Sequence, residues 1–206
     1  MLPIRYKFTP ANADLTGFAS NVTGASWTLT ATAATDALAH RVSIRNDSAT
    51  DHSGKTALLT GTDVDGHALT ETVALPAGSA TTESTSYFAT LTSIVPSATI
   101  SADTMDIGWV DEFISKTIGL DWRAGDTGLN VIVSGTINYT VQQTFNEIQT
   151  TDRTTINWMD QDDTSLVSAT TNQNGNYIVG VIAARLVINS YSSGATIEFN
   201  ITQQNY

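Results

Sequence analysis

Apolar and polar residues alternate along most of this chain. Val42 and Ile44 fall on one side of Arg41, Ser43 and Arg45. Leu69, Val73 and Leu75 alternate with Thr70, Thr72 and Ala74, and Glu71 interrupts the apolar side. A period of two places each set on one face of a β-strand. Tyr87, Ala89, Leu91, Ser93 and Val95 oppose Phe88, Thr90, Thr92 and Ile94, which predicts a strand covered on both faces. Met105, Ile107 and Trp109 close the first half. In the second half, Val131, Val133, Ile137, Tyr139 and Val141 form one long stripe interrupted by Gly135. Ile156 and Trp158 predict a short strand. Ile178, Val179, Val181, Ile182, Leu186, Val187 and Ile188 predict two strands or one long kinked one. Ile197, Phe199 and Ile201 alternate with Thr196, Glu198, Asn200 and Thr202, as expected of a terminal strand with one wet side.

Turn chemistry separates these runs. Asp65-Gly66 is a strong hairpin signal, and Asn174-Gly175 and Ser193-Gly194 mark two further predicted turns. No segment combines a helical period with caps; the nearest, Thr35 to His40, reads as a loop or a single turn. The expected fold is all-β, with two β-sandwich or jelly-roll-like modules over residues 1–112 and 129–206. A connector containing Gly119, Gly125 and Gly128 spans residues 113–128. The terminal arms, residues 1–10 and 203–206, are expected to order on contact with a partner.

Composition narrows the function. Threonine is roughly one residue in six, and its branched, half-polar side chain suits a strand face that meets water or a neighbouring subunit. Nine basic residues face twenty acidic ones, a net charge of −11. Such a chain repels a phosphate backbone and an anionic membrane, so neither nucleic acid nor a membrane is an expected partner. Cysteine is absent, which excludes disulfides and thiolate zinc sites. The N-terminus lacks the apolar core of a signal peptide, and no apolar run reaches the length of a membrane span. Synthesis in a cytoplasm is the expectation.

Candidate chemistry is sparse. Asp63-Val64-Asp65-Gly66-His67 resembles part of a calcium loop, but Glu71 falls too early to complete it and a plain Asp-Gly turn is the commoner reading. Asp160, Asp162 and Asp163 form a carboxylate cluster that suits a solvated loop better than a cation site. His40, His52 and His67 make no close-spaced ligand pair. No Gly-x-Ser-x-Gly elbow is present, so no enzyme activity, catalytic residue, metal or cofactor is expected. Among the four tryptophans, Trp27, Trp109, Trp122 and Trp158, Trp122 sits in the glycine-containing connector beside Asp121 and Arg123. Trp122, Arg123 and the terminal Tyr206 are the candidate exposed contacts for a partner or a sugar.

Two longer patterns point further. Leu59 to Leu75 has the form T-G-T-D-x-x-G-x-x-x-T-E-T followed by an apolar strand, continued by Tyr87 to Ile94. It resembles a pattern in virion proteins of tailed bacteriophages. Val133 to Phe145 is similar to an S-G-T-x-x-Y-T-V-x-x-T-F strand in small phage structural proteins. There it is followed by a tryptophan strand, a G-A-T-x-x-x-x-G-N-Y turn and an R-L-x-I strand. The counterparts here are Trp158, Ser168-Ala169-Thr170 through Gly175-Asn176-Tyr177, and Arg185-Leu186-Val187-Ile188, with Ser168 replacing the glycine.

The resemblance implies a virion structural protein with no catalytic residues to carry over. The first expectation is a capsid decoration (cement) protein, homo-oligomeric, bound to the major capsid protein or other virion proteins. The alternatives are a tail, neck or fibre-base component, or a surface carbohydrate-binding module.

Overall fold

A computed structural model describes residues 3–123, 126–149 and 155–203. Nearly all of its regular structure is β. The strands are β1 (Ile4–Phe8), β2 (Asp14–Val22), β3 (Ala39–Asn46), β4 (Thr56–Thr62), β5 (Ala68–Ala74), β6 (Thr81–Phe88), β7 (Thr90–Pro96) and β8 (Met105–Ile114). They continue as β9 (Ile118–Gly119), β10 (Thr127–Ser134), β11 (Ile137–Thr144), β12 (Met159–Asp160), β13 (Gln173–Tyr177), β14 (Ala183–Tyr191) and β15 (Thr196–Gln203). A short 3-10 turn covers Thr164–Leu166. The chain divides into two units, Ala11–Phe113 and Met1–Pro10 together with Ile114–Tyr206.

In the unit of residues 11–113, a three-stranded sheet runs β5-β4-β7, and β8, β3 and β6 lie side by side in a second sheet, with β2 also pairing β8. Their apolar faces share one core that includes Phe18, Val42, Ile44, Leu59, Phe88, Leu91, Ile94, Met105, Ile107 and Trp109. Burying each large side chain contributes about 1.5–3 kcal/mol, and in a chain without cysteine this packing takes the place of disulfides.

The stretch from Tyr87 to Val95 is not one strand. The chain leaves the second sheet after Phe88 and enters the three-stranded one at Thr90, so β6 pairs β3 while β7 pairs β4. A bulge on β7 then sets Thr60 opposite Ser93 and Gly61 opposite Leu91. The extra residue, Thr92, brings Leu91 and Ile94 to the same core although they are three apart. Period-two counting loses phase at both places.

In the other unit, one sheet has the order β1-β15-β10-β13, and in the second β12 pairs β11, β11 pairs β14 and β14 pairs β9. Leu129, Val131, Ile137, Tyr139, Val141, Leu186, Ile188, Ile197, Phe199 and Ile201 are buried. The stripe from Val131 to Val141 is two strands in different sheets, because the chain turns at Ser134-Gly135-Thr136.

Asn174-Gly175 is no turn either. Both residues lie in β13 and pair with Asn130 and Leu129. The glycine is there because a Cβ would sit 2.4 Å from Leu166 Cδ1. The short strand near Trp158 is Met159–Asp160. Ile178 and Val179 belong to no strand and are 78% and 52% exposed.

Within the expected connector, residues 115–120 do more than connect. The Ser115 N–H donates to Leu186 O, β9 pairs with β14, and the Leu120 N–H donates to Ile182 O. These backbone groups find their partners along β14, which makes the segment part of the sheet. The N-terminal arm is likewise structured within its own chain: Ile4–Phe8 pairs in full register with Ile197–Ile201. Its alternation was too short to read, since Arg5 and Lys7 face outward and the strand has only five residues.

Candidate functional site

The Asp63–His67 segment closes the β4–β5 hairpin. Asp63 Oδ1 accepts the N–H groups of Asp65 (2.9 Å) and His67 (2.8 Å), and Gly66 supplies φ +88°. These bonds make Asp63 Oδ1 the acceptor that shapes the turn.

Each histidine pairs with its own aspartate. His40 is buried, with Nε2 3.0 Å from Asp36 Oδ2 and Nδ1 2.8 Å from Glu112 O. His52 Nε2 lies 2.9 Å from Asp103, and exposed His67 is 3.4 Å from Asp63. Among the described residues, no three His, Asp or Glu side chains converge as a metal site.

The tryptophans divide as their positions suggest. Trp109 is buried, packs edge-on against Phe18 and donates from Nε1 to Asn12 O at 3.0 Å. Trp27 is buried and Trp158 partly buried, with the Arg185 guanidinium 4.0 Å above the Trp158 ring. Trp122 is 59% exposed. Arg123 pairs with Asp121 at 3.1 Å, and Tyr206 lies outside the described residues.

The three carboxylates after Trp158 separate. Asp160 accepts from Gln142 Nε2 at 3.0 Å. Asp163 caps the 3-10 turn through the Ser165 N–H at 2.9 Å, and this bond holds its carboxyl below the ordinary range. Asp162 and Asp163 line a cavity of about 280 Å3 together with Gln143, Gln161, Asn176, Tyr177, Ile178 and Val179.

Both sheets of this unit contribute to that cavity, Gln143 from β11 and Asn176 and Tyr177 from β13. Gln161 is held on both sides, its N–H donating to Val141 O (2.9 Å) and its Nε2 to Asn176 O (3.2 Å). Gln143 and Tyr177 are 2% and 3% exposed, and neither Gln143 Oε1 nor the Tyr177 hydroxyl has a hydrogen-bond partner among the described residues. Burial, reinforced by the nearby Asp162 charge, pushes the Tyr177 phenol far above its ordinary pKa.

Sequence reasoning missed Gln143 and Tyr177. The available signal was a polar glutamine continuing the inward stripe of Ile137, Tyr139 and Val141 on β11. Beside the cavity, the Trp122 backbone lies so close to Gly180 that a Cβ there would meet Trp122 O at 2.6 Å. Trp122 and the Ile178-Val179 tip are thus neighbours.

A second surface lies in the other unit. On the outer side of β5-β4-β7, Leu58 and Val95 face each other across strands at 44% and 53% exposure. Thr70 and Thr72 are also on this side, both exposed.

No protein-family model matches the chain, and no curated protein matches it at a significant level. Among solved structures, the chain is similar to one described as the structure of infectious bursal disease virus Gx strain, at 13% identity. The match covers 99% of this chain and 71% of that chain, with a TM-score of 0.15. That score is far below the level of a shared fold.

Proposed function

We propose that this chain is a structural protein of a tailed-phage particle, and specifically a decoration protein that binds the assembled head through the major capsid protein. The observation that carries the reading is the outer face of the β5-β4-β7 sheet. It is threonine-rich and centred on the exposed Leu58–Val95 pair, a surface suited to burial against another protein. Bound there as a homo-oligomer, the protein strengthens the head by buried interface area and involves no chemistry.

The residues of the two phage-like patterns support this reading by their roles. Glu71 accepts main-chain N–H groups of Thr85 and Ser86. Tyr139 and Ala169 form a two-way backbone bridge, and the Tyr139 hydroxyl donates to Thr171 O at 2.9 Å. Arg185 stacks on Trp158 and donates to Gln142 Oε1. Ser168 has φ +52° where the pattern carries glycine. These are the roles of framework residues.

Quantitative mass spectrometry of particles purified from the host that produces this chain tests the proposal. Hundreds of copies per particle are expected. A dozen or fewer would instead make it a tail, neck or fibre-base part, and absence from purified particles would overturn the virion reading altogether. Retained glycan binding by a Trp122→Ala variant, or none by the parent, is the expected result against the lectin alternative.

A further inference from the structure

We infer that the Ile178-Val179 tip and the surface around it form an interface with a second copy of this chain, across a two-fold axis. The tip lies outside any strand, and its two branched apolar side chains stand 78% and 52% exposed. The backbone of Trp122, itself 59% exposed, passes close to Gly180 at the base of the tip. Met159, 40% exposed, pairs in register with Gln143, which lines the cavity beneath the tip. Four large apolar side chains thus gather on the unit of residues 1–10 and 114–206. The outer positions of β15, by contrast, carry Thr196, Glu198, Asn200 and Thr202. An isolated chain gains nothing from apolar side chains held in water, and a patch of them marks a contact.

Two features of the patch name its occupant. The first is shape. An apolar projection, the tip, stands beside a hollow of about 280 Å3 whose accessible wall is mainly apolar. A two-fold contact requires both on one surface, because each copy offers the same residues to insert and to receive.

The second feature is charge. The Arg123 side chain, next to Trp122, is 73% exposed, and exposed Asp162 stands at the cavity mouth. The rim therefore carries both signs, although the whole chain carries −11. A uniformly basic partner meets repulsion at Arg123, and an acidic one at Asp162. A second copy turned by half a rotation sets Arg123 of each copy toward Asp162 of the other. Arg123 bonds to Asp121 through Nε, and a guanidinium has further donors on its terminal nitrogens. Tryptophan, methionine and arginine are also the residue types enriched where proteins meet.

Sedimentation equilibrium of the full chain over a concentration series tests the proposal. A reversible dimer is expected. Ile178→Asp should weaken it about thirtyfold or more with an unchanged circular dichroism spectrum, since the side chain is exposed. Arg123→Asp and Asp162→Arg should each weaken it about tenfold. Mixing these two variants should restore association, because both contacts across the axis then join opposite charges. A folding defect cannot produce that recovery.

A chain that stays monomeric at every concentration would overturn the proposal and leave the patch to a different protein. Dimerisation untouched by Ile178→Asp would overturn the location, and no recovery on mixing would overturn the two-fold charge pairing. The contact does not rest on the virion reading: a solution dimer of a chain absent from purified particles would sink that reading and leave this one standing.

Discussion

The Glu71 carboxylate accepts the Ser86 main-chain N–H at 2.8 Å, and its other oxygen accepts the Thr85 N–H at 2.7 Å. Between Arg41–Tyr87 and Ser43–Glu83, β6 carries three residues, Ser84 to Ser86, opposite the single Val42. Such an irregularity strips N–H groups of their ladder partners. Glu71 supplies acceptors for two of them, and Ser84 Oγ accepts the Val42 N–H at 2.8 Å. The glutamate that breaks the apolar side of β5 is therefore a clamp on the neighbouring strand. Glu71→Ala should destabilise by about 1–3 kcal/mol in urea unfolding, with Glu71→Gln costing less because one acceptor survives. A loss within error for both variants would remove the clamp role.

Asp36 beside His40 predicts a pH dependence. Burial alone would raise the Asp36 pKa, but hydrogen bonds from His40 and from the Ala11 and Leu38 N–H groups outweigh it and hold it below 3.8. A depressed carboxylate stabilises the fold above its unfolded-state value, and that contribution is lost as pH falls through the folded-state value. Asp36→Ala should cost about 3 kcal/mol near neutrality. The gap between variant and parent should narrow below about pH 4, measured as denaturation midpoints across a pH series.

Ser168 sits at φ +52°, a conformation that costs a non-glycine residue about 1–2 kcal/mol. Ser168→Gly should stabilise the chain by up to about 1 kcal/mol after the unfolded state's added freedom is subtracted. A thermal scan that shows a lower Tm would contradict this.

Two glycines should differ in kind. At Gly61 a Cβ would meet the Thr90 carbonyl oxygen at 1.8 Å, and at Gly175 the Leu166 side chain at 2.4 Å. Backbone cannot step aside, whereas a leucine can be shortened. Gly175→Ala should cost about 1–3 kcal/mol, and much of that should return in a Gly175→Ala, Leu166→Ala pair relative to Leu166→Ala alone. Gly61→Ala should cost more and resist rescue by side-chain changes, as a double-mutant cycle would reveal.

Removal of residues 1–10 deletes β1 and leaves one edge of β15 unpaired. The Tm should fall by several degrees, and the exposed edge should promote concentration-dependent association. Size-exclusion chromatography across a concentration series measures the second effect. A truncated chain with parental Tm and a monomeric profile would mean that β1 is dispensable to the fold.

The sequence by itself determined the β character. Val42 and Ile44, and likewise Ile197, Phe199 and Ile201, face the core as their alternation requires, because a strand's side-chain period is a local property of the backbone. It also determined the Asp65-Gly66 hairpin, since Asp63 makes its turn bonds within five residues. Trp122 was legible as exposed from its polar, glycine-containing surroundings.

Tertiary structure decided everything that depends on which strand lies beside which. Alternation does not register a change of sheet, so Tyr87–Val95 and Val131–Val141 each read as one strand while the chain switches sheets inside them. Asn174-Gly175 carries turn residues but serves as a strand, because Leu166 occupies the space a side chain would need. The cavity around Gln143 and Tyr177 was beyond reach for the same reason. Its lining comes from segments separated by up to 36 residues (Gln143 to Val179), and only their packing leaves Gln143 Oε1 and the Tyr177 hydroxyl buried without partners among the described residues.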